Sequence, residues 1–293
     1  MSNEAPLPLV NTRAPHQAAA WDAALKAADL PGVLPVHLPL IDIQPRRPVQ
    51  WLDAQGQESS AAQEVWSGRR SSGLVGAVLV FVSANAVACF FTPTPVLDAF
   101  SQGWPPGAIA CATGAATRQA LLDHGVPPGA LWCPQGEGAG DSEALWAHLQ
   151  QQRPPDWWQG RPVLVVRGTG GRPWLGQRLS GAGAALCYAQ AYSLGEPLWT
   201  PQQSLLLAQS AQEPGSVWWL ASSAVLEPLA QRLADAGFSP QAVLARSQAW
   251  VLHPRQAEAA TRLGFGRTHL VSGPTPAALH QAWRDSRAAR AAF

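Results

Sequence analysis

The chain has 293 residues, 47 % of them hydrophobic and 13 % charged, with a net charge of +1. That length and apolar content suit two domains, each with a core of its own, and the balanced charge, without a basic tail or patch, excludes nucleic acid as a partner. The longest apolar stretch, near Leu74 to Val82, is too short to cross a bilayer.

Leu7 to Val10 reads as a short strand, and Pro15 opens a helix to about Ala28, a tolerated place for proline. Residues 33–43 alternate but carry Pro35 and Pro39, which fits an edge strand or linker better than a central strand. Residues 49–73 are polar and rich in Ser, Gln and Gly, as expected of a flexible surface insertion with a helical part. Leu74 to Val82 is nearly all apolar, the pattern of a parallel strand covered on both faces. A helix from Asn85, a strand over 108–112 and a helix ending at His124-Gly125 follow, the glycine serving as cap. Residues 136–140 read as a loop, and Asp141-Ser142-Glu143 starts a helix to about Gln150. A strand over 163–166 leads into Arg167-Gly168-Thr169-Gly170-Gly171-Arg172, and Pro173 opens the next helix. Residues 186–192 form a second linker-like strand. The last third gives a helix (202–212), strand (217–221), helix (225–236), strand (249–252), helix (254–263), strand (269–271) and helix (275–283). Such alternation argues for parallel α/β sheets.

One unit occurs twice. Leu79-Val80-Phe81-Val82 runs into Ser83-Ala84-Asn85, and Trp218-Trp219-Leu220-Ala221 runs into Ser222-Ser223. Gly125 lies 42 residues after Ser83, and Gly264 lies 42 after Ser222; each glycine precedes an apolar residue. Equal spacing implies two similar α/β halves facing each other across a cleft. Each puts a hydroxyl and free backbone N–H groups at a helix start, where anions are held well. A polyanionic ligand gripped between two lobes is the expectation.

Familiar chemistry is mostly excluded. Lys26 is the single lysine, so there is no Walker-type phosphate loop, and this residue, on an early helix and expected to face solvent, is the only candidate for a Schiff base. The turn 167–172 lacks dinucleotide spacing; a turn holding a carboxylate or phosphate and a purely structural turn stand side by side. There is no nucleophile elbow, no H-E-x-x-H, and no His/Cys/Asp cluster with metal-ligand spacing. Cys89, Cys111, Cys133 and Cys187 form no C-x-x-C pair and are expected as buried free thiols. With no signal peptide, this fits a reducing cytoplasm. His124 suits a helix C-terminus; His253 begins a helix and is a candidate cleft residue. Tyr188 and Tyr192, the only tyrosines, lie four apart on one strand and are expected on the same face, with packing as the plain role and Tyr192 as a candidate cleft phenol.

In order along the chain, Val10-Asn11-Thr12-Arg13, Leu38-Pro39-Leu40-Ile41-Asp42-Ile43, Phe81-Val82-Ser83-Ala84-Asn85, Gly114-Ala115-Ala116-Thr117, Asp141-Ser142-Glu143-Ala144-Leu145 and Val166-Arg167-Gly168 with Gly171-Arg172 resemble segments of the uroporphyrinogen-III synthase family. The resemblance implies two flavodoxin-like lobes with parallel sheets, joined by a two-stranded linker, with a cleft between them. Lobe one would comprise 1–36 and 194–293, lobe two 44–186, and the linker strands 37–43 and 187–193. It implies a monomeric, cofactor-free, metal-free cytoplasmic enzyme of heme biosynthesis, a lyase that closes hydroxymethylbilane to uroporphyrinogen III with ring D inverted through a spiro intermediate. Transient contact with the enzyme that forms hydroxymethylbilane is implied as well, with no nucleic-acid or membrane partner. Tyr192 matches the family's cleft tyrosine, expected to assist loss of the hydroxyl. The substrate-binding set is Arg13, Ser83, Asn85, Thr113, Gly114, Thr117, Ser142, Arg167, Gly168, Ser222, Ser223 and His253. The chain departs from the family in lacking an arginine after Tyr192-Ser193, in Val82 and Ala221 before the serines, and in His253 and Gln256. A non-catalytic two-lobed binding or regulatory homologue for a carboxylate-rich ligand is the alternative, and a nucleotide-using α/β enzyme a third.

Overall fold

The computed structural model describes residues 6–66, 74–92, 100, 103–135, 140–220, 222–273 and 275–290. In chain order its elements are β1 (Leu7–Asn11), α1 (Ala18–Ala28), β2 (Val33–His37), β3 (Asp42–Leu52), α2 (Ser60–Trp66), β4 (Val78–Phe81), α3 (Ala84–Phe91), β5 (Ile109–Ala112), α4 (Ala115–Asp123), β6 (Leu131–Trp132) and α5 (Ser142–Gln152). There follow β7 (Pro162–Gly168), α6 (Trp174–Gly181), β8 (Ala185–Gly195), α7 (Pro201–Gln212), β9 (Val217–Leu220), α8 (Leu226–Asp235), α9 (Pro240–Ala245), β10 (Gln248–Val251), α10 (Pro254–Leu263), β11 (Arg267–Leu270) and α11 (Pro276–Arg290). The chain divides into two units, Met1–Asp42 with Gly195–Phe293, and Ile43–Leu194.

The first unit holds a sheet in the order β11-β10-β9-β1-β2, parallel at every pairing. Numbered along the unit's own chain, this is the 2-1-3-4-5 order of flavodoxin-like folds. The second unit's sheet runs β3-β8-β7-β4-β5-β6, parallel from β8 to β6. Leaving β3 aside and counting from β7, it has the same 2-1-3-4-5 order. The two sheets are therefore circular permutations of one topology, the physical form of the repeat seen in the sequence.

Both faces of each sheet are covered, which is why the strands read as continuous apolar runs. In β4, Leu79 and Phe81 face one core with Phe90, Phe91 and Phe100, while Val78 and Val80 face another with Leu145, Leu149 and Trp158. In β9, Trp218 and Leu220 pack against Leu229, Leu233 and Leu244, and Val217 and Trp219 against Trp21, Trp250 and Trp283. Three prolines sit where a missing donor is tolerated: Pro35 on edge strand β2, and Pro45 and Pro48 on edge strand β3. Gly125 and Gly264 both take positive φ (82° and 112°) after their helices, and the next residue in each case, Val126 or Phe265, is buried.

Three expectations are corrected. Residues 49–52 are the end of β3 rather than a flexible insertion, because Val49, Trp51 and Leu52 are buried; α2 follows, and 67–73 lie outside the described residues, as do 136–139 and Ala221. The apolar run 74–82 is not all strand: Gly76, at φ 71°, closes a turn in which Ala77 N–H donates to Leu74 C=O, and β4 starts at Val78. Tyr188 and Tyr192 do not share a face. Val165, Val166 and Arg167 pair with Tyr188, Ala189 and Gln190, but Gly168 pairs with Tyr192, so Ala191 is an extra residue. This β-bulge reverses the alternation; Tyr188 joins the core of Val80 and Trp158, and Tyr192 the core of Phe81 and Ala189.

The Tyr188 hydroxyl occupies the space that a side chain at Gly176 in α6 would need. Gly176→Ala should therefore destabilise the protein by about 1–3 kcal/mol through overpacking, even though alanine favours a helix by about 1 kcal/mol. Urea unfolding measures this, and a stabilised variant would show that Tyr188 does not pack there.

Candidate functional site

The sequence-predicted residues gather in two sets, one in each unit, at the carboxyl ends of the strands. In a doubly wound sheet, ligands bind there, at the point where the chain reverses its direction of strand addition. That point lies between β7 and β4 in the second unit, and between β1 and β9 in the first.

In the second unit, β4 ends at Phe81, and Val82 N–H still donates to Val166 C=O at 3.3 Å. Ser83 then caps α3, its Oγ accepting from Ala86 N–H at 3.1 Å, a contact worth about 1 kcal/mol. The same Oγ lies 3.2 Å from the Tyr192 hydroxyl. Tyr192 is held on both sides. Thr169 N–H donates to its carbonyl at 2.8 Å, and its ring lies so close to Gly168 that a Cβ there would come within 2.6 Å of Cε2. Burial pushes the Tyr192 phenol above its usual pKa, and the Ser83 hydrogen bond offsets only part of this. The phenol therefore stays protonated and available as a donor at neutral pH.

Beside this pair, Thr113 Oγ1 donates to Val82 C=O at 3.2 Å, and Thr113 and Thr117 are buried. Asn85, in the first turn of α3, is half-buried. Gly114 caps α4, and a Cβ on it would lie 2.8 Å from Gly140 Cα, so glycine lets two backbones meet. Ser142 begins α5, but the cap is Asp141, whose Oδ1 accepts from Ala144 N–H at 2.8 Å. Arg172 makes a two-pronged ion pair with Glu143, both contacts 2.9 Å, tying the turn after β7 to the start of α5. Arg167 lies over the Tyr188 ring, its guanidinium carbon 4.6 Å from the centroid, with Nε buried and unpartnered.

In the first unit, Thr12 Oγ1 donates to Trp219 C=O at 2.6 Å, and Arg13 N–H donates to Asn11 Oδ1 at 3.1 Å. Burial lowers the Arg13 pKa, which still leaves a cation, and its Nε too has no partner. Ser222 Oγ accepts from Ala224 N–H at 3.2 Å, while Ser223 is exposed. His253 caps α10, with Nδ1 accepting from Arg255 N–H at 3.2 Å.

Other chemistry is sparse. Cys89, Cys111, Cys133 and Cys187 are free, and burial raises each thiol. Among the described residues no group of three His, Cys, Asp or Glu side chains could hold a metal ion, and no helix is long and apolar enough to cross a membrane. His124 fulfils its plain role: Nδ1 hydrogen-bonds Ala120 C=O at 2.8 Å at the end of α4. The sequence reading missed the Ala191 bulge, which no periodicity signals, and the contacts of His37 and Tyr188 with the two arginines.

Fold and sites together define a doubly wound α/β protein of two permuted units, each with hydroxyls, helix starts and an arginine at its strand ends. The model of the family described as uroporphyrinogen-III synthase HemD matches residues 22–281. A mutant uroporphyrinogen III synthase from the extremely thermophilic bacterium Thermus thermophilus aligns over 96 % of this chain and 99 % of its own at 17 % identity, with a TM-score of 0.55. The uroporphyrinogen-III synthetase of Helicobacter pylori aligns over 95 % and 99 % at 14 % identity, with a TM-score of 0.53. At such identities these structures speak for the fold. No curated protein matches the sequence. The chain belongs to the uroporphyrinogen-III synthase family, and its activity is that family's step of porphyrin and heme biosynthesis.

Gly168→Ala tests the site's packing. The added methyl must displace the Tyr192 ring, so the variant should lose about 1–3 kcal/mol of stability in urea unfolding together with most of its activity. Wild-type activity would mean that the Tyr192 position is not critical.

Proposed function

We propose that the chain closes hydroxymethylbilane to uroporphyrinogen III as a cofactor-independent lyase, with the Tyr192 phenol as the proton donor to the departing hydroxyl. The observation that carries this reading is the buried, protonated phenol 3.2 Å from Ser83 Oγ at the second unit's strand ends. The hydroxyl takes the phenolic proton and leaves as water. The methylene carbon left behind is attacked by the substituted carbon of ring D to give the spiro intermediate. The bond from that ring D carbon to its methylene bridge then breaks, the freed methylene carbon bonds the unsubstituted carbon of ring D, and the proton lost there returns to the Tyr192 phenolate. The substrate closes uninverted on its own, so the protein's task is chiefly to hold the conformation that favours inversion.

The substrate's eight carboxylates match the donors present. Ser83, Asn85, Thr113, Gly114, Thr117, Ser142, Arg167 and Gly168 in the second unit, and Arg13, Ser222, Ser223 and His253 in the first, supply hydroxyls, helix-start N–H groups and guanidinium charge. The same reading has the chain act as a cytoplasmic monomer that receives its substrate in transient contact with the hydroxymethylbilane-forming enzyme. It has two lobes joined through 37–43 and 187–193.

The test is a coupled assay in which hydroxymethylbilane is generated in situ and the oxidised type I and type III porphyrins are separated. The wild-type chain should give mainly type III; type I alone from folded protein would overturn the reading. Tyr192→Phe should lower kcat about 10²-fold, the scale of a lost general acid, while remaining folded; an unchanged rate would remove the donor role. Ser83→Ala should cost about 1 kcal/mol of stability through the lost cap and lower the rate less than Tyr192→Phe, because Tyr192 keeps its proton. A larger loss from Ser83→Ala would make the serine the principal group.

A further inference from the structure

The permutation pairs residues that sequence comparison along the chain does not. With Ser83 matched to Ser222, Val80 matches Trp219. Val80 pairs with Val165 across β4 and β7, and Trp219 pairs with Asn11 across β9 and β1. Two residues further on, Arg167 and Arg13 therefore occupy the same place in the two units. One strand outward, Val165 pairs with Tyr188 and Asn11 with His37, so these two rings are also equivalent.

Each ring reaches the arginine of its own unit. The Tyr188 ring lies under the Arg167 guanidinium, 4.6 Å from centroid to carbon. His37 Nε2 lies 3.2 Å from the Arg13 carbonyl, while Asn11 Oδ1 holds the Arg13 N–H, so the backbone of that residue is gripped at both ends. Both guanidinium groups have a buried Nε without an acceptor, and among the described residues neither arginine forms an ion pair. Two oriented cations with unmet donors, each steadied by a neighbouring ring, are built for an anion that comes from outside the chain.

We infer that His37 and Tyr188 are positioning residues for Arg13 and Arg167, and that the arginine each ring steadies takes a carboxylate in its own unit. This rests on the substrate class proposed above. It differs from that reading in predicting a specific consequence for two residues that touch no substrate.

Uroporphyrin III, the oxidised octacarboxylate, is the probe, titrated against the tryptophan fluorescence of the full chain. Arg167→Gln should raise Kd about tenfold, the scale of a lost charged hydrogen bond. Arg167→Lys should raise it nearly as much, because a lysine keeps the charge but not the planar face that stacks on Tyr188. Tyr188→Leu should weaken binding several-fold and Tyr188→Phe, which keeps the ring, should restore it; His37→Phe should weaken binding and His37→Gln, which keeps a donor, should restore it. Wild-type Kd in folded Arg167→Gln, or equal effects of Tyr188→Leu and Tyr188→Phe, would overturn the inference. If Tyr188→Leu does not fold, Arg167→Lys decides, and wild-type binding there would overturn the stacking role. Type I product from the wild-type chain, with Arg167→Gln still weakening porphyrin binding, would remove the catalytic reading and leave this one standing. Type III product with unaltered binding in Arg167→Gln would do the reverse.

Discussion

The second unit's site depends on the contact of the Tyr192 ring with the bare backbone of Gly168. No side chain fits between them: a Cβ would sit 2.6 Å from the ring. That closeness sets the phenol beside Ser83, which in turn caps α3. The extra residue Ala191 makes the contact possible, since without it β8 would run in plain alternation and Tyr192 would share a face with Tyr188. One inserted residue thus assigns the two tyrosines to different cores. Tyr188 goes to the face of α6 and Arg167, and Tyr192 to the face of α3 and its cap.

The permuted topology explains why donors collect where they do. A 2-1-3-4-5 sheet has one place where successive strands are added in opposite directions, and the helix starts on either side of it leave N–H groups facing outward. Each unit fills that place with its own residues: Ser83, Arg167 and Gly168 in one, Arg13 and Ser222 in the other. The units are not chemically equal. Only the second has a phenol there; the first has His37, whose ring binds backbone, and His253, whose ring is occupied as a helix cap. Under the proposed function both units offer groups that can hold anions, while the proposed proton donor lies in the second, a division that suits a reaction in which orientation does most of the work.

Much of this was legible in the sequence, because it rests on local chemistry. Apolar runs gave the buried strands, and Ser83, Ser222 and His253 announced helix starts, all three as caps. The equal spacing to Gly125 and Gly264 reported the repeat, and both glycines take the left-handed conformation that ends a helix. What escaped was set by tertiary partners. β6 has two residues and no pattern of its own. The end of β3 looked polar because its prolines and arginines occupy a sheet edge, yet Trp51 and Leu52 pack into cores. The face of Tyr192 depended on a bulge fixed by the neighbouring strand, and the tie between Arg167 and Tyr188 followed from that same register.

The most direct measurement is the titration of Tyr192 itself. The chain has only two tyrosines, so ring-labelled tyrosine gives two carbon resonances in an NMR spectrum, assigned with Tyr188→Phe. The Tyr192 resonance should remain that of the protonated phenol as pH rises through about 10, the ordinary tyrosine value, because burial raises its pKa. It should shift in Gly168→Ala, where the ring is displaced. A Tyr192 resonance that titrates at or below the ordinary value would mean a solvated phenol, away from Gly168 and Ser83, and would contradict the account.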